Sequence, residues 1–167
     1  MTVELKNGRG QLGSLLKLKL NNTNSESKTF VYHTWNIDDK SKERQEKEYI
    51  KFKNFVDTNK DGKIVFISTK SQKNSWYVYY KQLSESYLIQ NHIDSLVLRF
   101  PTIVGRKGTL QLLKYKKIKP YGIMELMSLK DMCDCIVKNL NYNGNSKILS
   151  FDGEKVTAKL VCEMLNL

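Results

Sequence analysis

The sequence predicts an α/β fold of three layers, with a mostly parallel sheet covered by helices on both faces. Three observations predict it. Segments of strand pattern alternate with segments of helical spacing along the chain, as parallel strands joined by crossover helices require. The run Lys63-Ile64-Val65-Phe66-Ile67-Ser68 is apolar at four successive positions, the pattern of a strand buried on both faces. The first strand passes through a glycine-rich turn directly into a helix. At 167 residues the chain fits one domain with one core, since globular domains run ~100–200 residues.

The elements follow in order. Thr2 to Lys6 alternates as a short strand and leads through Gly8, Gly10 and Gly13 into a helix over Ser14 to Leu20, with Leu15, Leu16 and Leu20 apolar. Asn21 to Lys28 is entirely polar and predicts a loop. Thr29 to Trp35 is a strand built on Phe30, Val31 and Tyr32, and a helix follows within Asp38 to Val56, where Tyr49, Ile50, Phe52, Phe55 and Val56 recur at helical spacing. Asp61-Gly62 turns the chain into the buried strand at 63–68. Helix 77–91, strand 95–104 ending at Pro101, helix 130–140, strand 147–151 and helix 155–165 complete the alternation, and only 107–127 lacks clear periodicity.

Composition excludes several classes of function. Hydrophobic residues make up 40% of the chain and recur throughout it, which excludes disorder. No apolar run approaches the ~18 residues of a membrane span, and Met1 to Lys6 is not a secretory signal, so a soluble cytoplasmic protein is expected. Cys133, Cys135 and Cys162 form no Cys-x-x-Cys pair and read as small buried hydrophobes. The net charge of +11 suggests a polyanion, but only Arg9, Arg44, Arg99 and Arg106 among 28 basic residues are arginines, and the lysines are spread along the chain. Nucleic-acid binding is therefore not expected; the charge predicts solubility and nonspecific anion binding.

Two constellations carry chemistry. Gly8-x-Gly10-x-x-Gly13 matches the dinucleotide fingerprint: the first glycine makes the tight turn, the second lets a pyrophosphate approach the backbone, and the third lets the helix pack on the strand. The helix N-terminus offers free N–H groups to the phosphates. Tyr77-x-x-x-Lys81 places a phenol and an ammonium on one helix face, where the ammonium can lower the phenol's pKa for acid–base work. Tyr49 with Lys53 and Tyr115 with Lys119 share that spacing. Tyr77 is singled out because it starts a helix just after the buried strand ending in Ser68-Thr69, so the Thr69 hydroxyl and the phenol can converge at the sheet's carboxyl edge. His33 reads as a structural histidine, and His92, at a helix end, as exposed.

These landmarks, in order, resemble the extended short-chain dehydrogenase/reductases, the family that includes nucleotide-sugar epimerases, dehydratases and dehydrorhamnose reductases. Gly10-Gln11-Leu12-Gly13 resembles the glycine turn, and Phe30-Val31-Tyr32-His33-Thr34-Trp35 the family's fourth strand. Ile67-Ser68-Thr69 resembles the fifth strand with its catalytic hydroxyl, and Tyr77-Val78-Tyr79-Tyr80-Lys81 through Glu85 the Tyr/Lys helix. Leu98-Arg99-Phe100-Pro101-Thr102-Ile103-Val104-Gly105 resembles the sixth strand and the nicotinamide loop, and Met127 to Met132 a later family segment. The resemblance implies a compact Rossmann-like domain over 1–167, with strand order 1-4-5-6-7 in the family's numbering and 107–127 as a remnant of the substrate-binding region.

The resemblance also implies an NAD(P)-linked oxidation or reduction at a sugar carbon, on a nucleotide sugar of polysaccharide biosynthesis. Tyr77 would exchange the proton, Lys81 would lower its pKa and hold the ribose, and Thr69 would polarise the oxygen. NAD or NADP would be held by Gly8, Gly10, Gln11, Leu12, Gly13, His33, Trp35, Tyr77, Lys81, Pro101 and Val104. A homodimer through helices 40–56 and 77–91 is implied as well.

The chain departs from the family in specific places. Two strands and their helices are missing between the glycine-turn helix and strand 29–35, and with them the acidic residue that grips the adenosine ribose. Asp38 is a stand-in if 29–35 is instead the second strand. Trp35 replaces a small residue and either blocks the nicotinamide ribose or packs over the shortened sheet. These losses carry the alternative expectation, a degenerate protein that binds a nucleotide or a partner without turnover.

Overall fold

The structure, a computed structural model, describes residues 2–6, 10–20, 28–104, 122–142 and 144–164. Gly8, most of the polar loop at 21–28, Gly105, Arg106 and 107–121 of the segment without periodicity lie outside the described residues.

Five strands form the main sheet: β1 (Thr2–Leu5), β2 (Lys28–Tyr32), β3 (Lys63–Thr69), β4 (Ser95–Phe100) and β7 (Lys147–Ser150). Their order is β1-β2-β3-β4-β7 and every neighbouring pair is parallel. These are the five strands expected from the sequence, lying in the expected sequence of neighbours; the labels differ because they are counted here along this chain. Thr29–Tyr32 pairs directly with β3, so Asp38 does not follow a second-strand position and is exposed.

The pleat sends alternate side chains to opposite faces, and two cores result. On one face Val31, Val65, Ile67, Leu96 and Leu98 pack with Leu16 of α1 (Gln11–Leu20) and Met132, Cys133 and Ile136 of α4 (Leu129–Asn139). On the other, Phe30, Tyr32, Ile64, Phe66 and Val97 pack with Phe52, Phe55 and Val56 of α2 (Lys42–Thr58) and Leu88 of α3 (Trp76–Asn91). Serine side chains cap three helices: Ser41 accepts Arg44 N–H, Ser75 accepts Val78 N–H, and Ser128 accepts Asp131 N–H.

The C-terminal third differs from the expectation. Pro101 cannot donate to a ladder and ends β4, so the predicted strand 95–104 splits into β4 and β5 (Thr102–Val104). β5 joins β6 (Ile123–Ser128) and β8 (Glu154–Thr157) in a second small sheet of order β5-β6-β8. The predicted helix 155–165 therefore begins late: Glu154–Thr157 pairs antiparallel with β6, and only Ala158–Met164 is helical, as α5. Gly153 permits the turn before β8, since a Cβ there would lie 2.3 Å from the Leu126 carbonyl oxygen.

His92 is buried rather than exposed, because its Nε2 pairs with the Gly62 carbonyl oxygen at 2.8 Å. Among the described residues, no helix is long and apolar enough to cross a membrane, and no cluster of His, Cys, Asp and Glu could hold a metal.

Candidate functional site

The helices after β1 and β2 turn to opposite faces of the sheet, α1 to one and α2 to the other. This reversal opens a crevice at the carboxyl ends of β1 and β2, the place where open α/β sheets receive ligands. A cavity of about 800 Å³ begins there and runs along α2 towards the opposite edge of the sheet. Its walls are Lys6 at the end of β1, Gly10 to Gly13 at the start of α1, Tyr32 to Asn36 at the end of β2, and one flank of α2 from Arg44 to Thr58.

Two buried side-chain nitrogens among the described residues have no hydrogen-bond partner, His33 Nε2 and Arg44 Nε, and both belong to residues lining this cavity. Buried polar atoms are nearly always paired, so an orphaned pair beside a cavity marks a place where a ligand can bond. Burial lowers the His33 pKa, and nearby Lys81 lowers it further, so the imidazole is neutral at pH 7.

Thr69, at the end of β3, and Tyr77, in the first turn of α3, are brought together. The Thr69 hydroxyl accepts Ser71 N–H at 3.1 Å and lies close enough to the Tyr77 phenol to lower its pKa. Burial pushes that phenol up to about 12, only partly offset by Thr69. The expected lowering of the Tyr77 pKa by Lys81 is therefore corrected: desolvation decides the sign.

Lys81 turns elsewhere. Its Nζ donates to the Ile67 carbonyl oxygen at 2.7 Å and lies 4.4 Å from the Trp35 ring centre and 4.5 Å from that of Phe66. It is 4% exposed, and burial holds its pKa down to about 7 against the attraction of Glu85 and Glu48. Trp35 is itself fixed, donating its indole N–H to Gln45 Oε1 at 2.7 Å, while Gln45 Nε2 donates to the Asn36 carbonyl oxygen at 3.0 Å. Trp35 thus lines the cavity with its own atoms and covers Lys81.

Glu85, one turn further along α3, is 2% exposed. It accepts from Ser68 Oγ at 2.5 Å and from Arg99 Nε at 3.1 Å, which ties α3 to β3 and β4. Lys70 bridges Glu125 of β6 and Asp152, joining the main sheet to the small one.

Of the residues expected to hold a dinucleotide, the structure gathers Gly10, Gln11, Leu12, Gly13, His33 and Trp35 around the cavity, while Gly8 lies outside the described residues. Thr69, Tyr77, Lys81, Pro101 and Val104 do not line it. Arg44, Glu48 and Lys51 do, and none of them is among the residues expected from the sequence. Their signal was the i,i+4 and i,i+3 spacing of opposite charges on α2, which also describes an ordinary solvated helix face.

No protein-family model matches the chain, and no curated relative matches it. Solved structures do. A dTDP-4-dehydrorhamnose reductase of Sulfolobus tokodaii, described as hypothetical, aligns with a TM-score of 0.69 at 19% identity over 99% of this chain and 81% of that one. The Bordetella bronchiseptica enzyme WbmH in complex with NAD+ gives 0.75 at 16% over the same shares. The dTDP-4-dehydrorhamnose reductase of Bacillus anthracis in complex with NADP gives 0.73 at 14%, also over 99% and 81%. The chain has the Rossmann-like fold of these enzymes.

Proposed function

We propose that the chain is an NAD(P)-linked reductase of the extended short-chain type, acting on a carbonyl carbon of a nucleotide sugar. The observation that carries this reading is the nearness of Thr69 to the Tyr77 phenol at the carboxyl edge of the sheet whose glycine turn opens the cavity. The similar solved structures, dTDP-4-dehydrorhamnose reductases among them, support it.

The residues present fit a dinucleotide at the glycine end. A Cβ on Gly10 would meet nothing within 4 Å, and Gly10 lines the cavity, so its backbone is open to a phosphate. The first turn of α1 directs N–H groups to the same place, and His33 Nε2 awaits a partner. When bound, the nicotinamide would supply the hydride.

The chain's own residues then set the direction of the reaction. A phenol held at about 12 is protonated at neutral pH, so Tyr77 is built to give a proton to the alkoxide that forms as a carbonyl is reduced. Taking a proton from a hydroxyl would need a phenolate, which burial disfavours. The nearby Thr69 hydroxyl eases the phenol's ionisation. Lys81 reaches a ribose only if Trp35 moves from its ring. That cover favours a second reading, a nucleotide-binding protein without turnover.

Polysaccharide biosynthesis in the cytoplasm is the setting this reading supplies. Ile50, Trp76 and Tyr79 are exposed on α2 and α3, which supports pairing of two copies through those helices; a monomeric mass by light scattering would remove that part. The functional reading is tested with Tyr77→Phe. Oxidation of NADPH by a 4-keto nucleotide sugar should fall ~10³-fold with the fold intact, in the range general acid catalysis contributes. An undiminished rate contradicts it.

A further inference from the structure

We propose that Lys6, Arg44 and Lys51 form a phosphate subsite in the cavity, selecting a dinucleotide with a phosphate on its adenosine ribose over one without it. This rests on the dinucleotide reading above and deepens it.

The three cations come from the end of β1 and from α2, and all three line the cavity. Lys6 reaches from the end of β1 to α2, its Nζ lying 5.7 Å from the Phe55 ring centre. Arg44 Nη2 and Lys51 Nζ lie 3.5 Å and 3.1 Å from the same oxygen of Glu48. All four charged residues line the cavity, and Glu48 is the one carboxylate among its described lining. Three cations against one carboxylate leave the wall positive, and the neutral His33 does not change that.

Exposure decides which charge a ligand meets. The Glu48 side chain is 8% exposed, whereas those of Arg44 and Lys51 are 39% and 59% exposed. The carboxylate sits behind and the cations in front. Nor does Glu48 saturate them. At 3.5 Å its contact with Arg44 is longer than a good charge-assisted bond, and Arg44 Nε has no partner at all. A guanidinium has five N–H donors in a planar fork that suits phosphate.

The subsite and the glycine turn occupy two parts of one cavity. The glycine turn and the α1 N-terminus suit a pyrophosphate, and the α2 wall suits a second, separate phosphate. A cavity of about 800 Å³ falls in the ~300–1,000 Å³ range of small-molecule sites.

The test is calorimetric titration of the full chain with NADPH and with NADH, for the unaltered protein and for Arg44→Gln/Lys51→Gln. NADPH should bind roughly tenfold to hundredfold more tightly, the range one or two charge-assisted bonds supply. The double variant should lose that preference and keep its NADH affinity. Adenosine 2′,5′-bisphosphate against adenosine 5′-monophosphate on the unaltered protein makes the same comparison without a variant, and the bisphosphate should win. Equal binding, or tighter NADH, overturns the subsite and leaves the dinucleotide reading standing. A preference that survives in a folded double variant overturns the residue assignment. Binding of neither dinucleotide overturns both.

Discussion

The Nζ of Lys81 lies 4.4 Å from the centre of the Trp35 ring, and the same indole donates its N–H to Gln45. One aromatic side chain therefore separates the cavity at the glycine turn from the lysine of the Tyr77/Lys81 pair. The contact is a cation–π arrangement while the amine is charged, and its desolvation is what brings the amine's pKa down to about 7.

Removing the indole should uncover the amine. In Trp35→Ala, Lys81 gains solvent, its pKa rises towards its ordinary value, and its modification by an amine-reactive ester at pH ~10, where much of the amine is neutral in both proteins, becomes several-fold more extensive by peptide mass spectrometry. Labelling of Lys81 no greater than in the unaltered protein would show that Trp35 is not the cover.

Lys81 also predicts a pH dependence of stability. Its folded pKa, about 7, is below its unfolded value near 10.5, so between those limits the unfolded chain binds more protons. Stability from this group therefore rises with pH from about 7 towards 10, with a slope approaching ~1.4 kcal/mol per pH unit for one proton. Urea unfolding of the unaltered protein and of Lys81→Met at pH 7 and 9 isolates the effect. The difference between the two proteins should change by ~2 kcal/mol across that interval, and a constant difference contradicts the burial argument.

Glu85 should be a stability residue. It is buried against Ser68 and Arg99, so Glu85→Gln leaves a partly buried guanidinium without its counter-charge, at a cost of ~2–3 kcal/mol by denaturant unfolding. The exposed pair Lys159–Glu163 is the control: Lys159→Ala should change stability by less than ~0.5 kcal/mol. Similar losses in the two variants would refute the distinction.

Two glycines should respond in opposite ways to alanine. At Gly153 the new Cβ would press on the Leu126 carbonyl oxygen and lie 3.0 Å from Pro101 Cγ, destabilising the chain by ~1–3 kcal/mol. At Gly10 it meets no protein atom within 4 Å, so the melting temperature should hold while dinucleotide affinity falls. A Gly10→Ala protein that binds NADPH unchanged would separate the glycine turn from the cofactor.

The main sheet was legible because its signals are local. The apolar run at 64–67 and the strand–glycine–helix start each name an element without reference to the rest of the chain. β8 was not legible: Val156 has helical spacing with Leu160, but pairing of Glu154–Thr157 with β6 overrides it, and β6 carries no alternation of its own. His92 was misplaced because its partner, the Gly62 carbonyl, is 30 residues away. At the site, the Thr69–Tyr77 pair followed from a strand end and a helix start. The swing of Lys81 to Ile67 and Trp35, and the charges of α2 facing β1, depend on packing between elements, which spacing does not encode.

The central claim is that this fold binds a dinucleotide in the cavity that Gly10 and Trp35 line, and energy transfer from tryptophan to bound NADPH tests it most directly. On titration, the account predicts saturable quenching of Trp35 and Trp76 emission with sensitised dihydronicotinamide fluorescence, weakened in Gly10→Val and diminished in Trp35→Phe. No energy transfer at millimolar NADPH from a folded protein would contradict it.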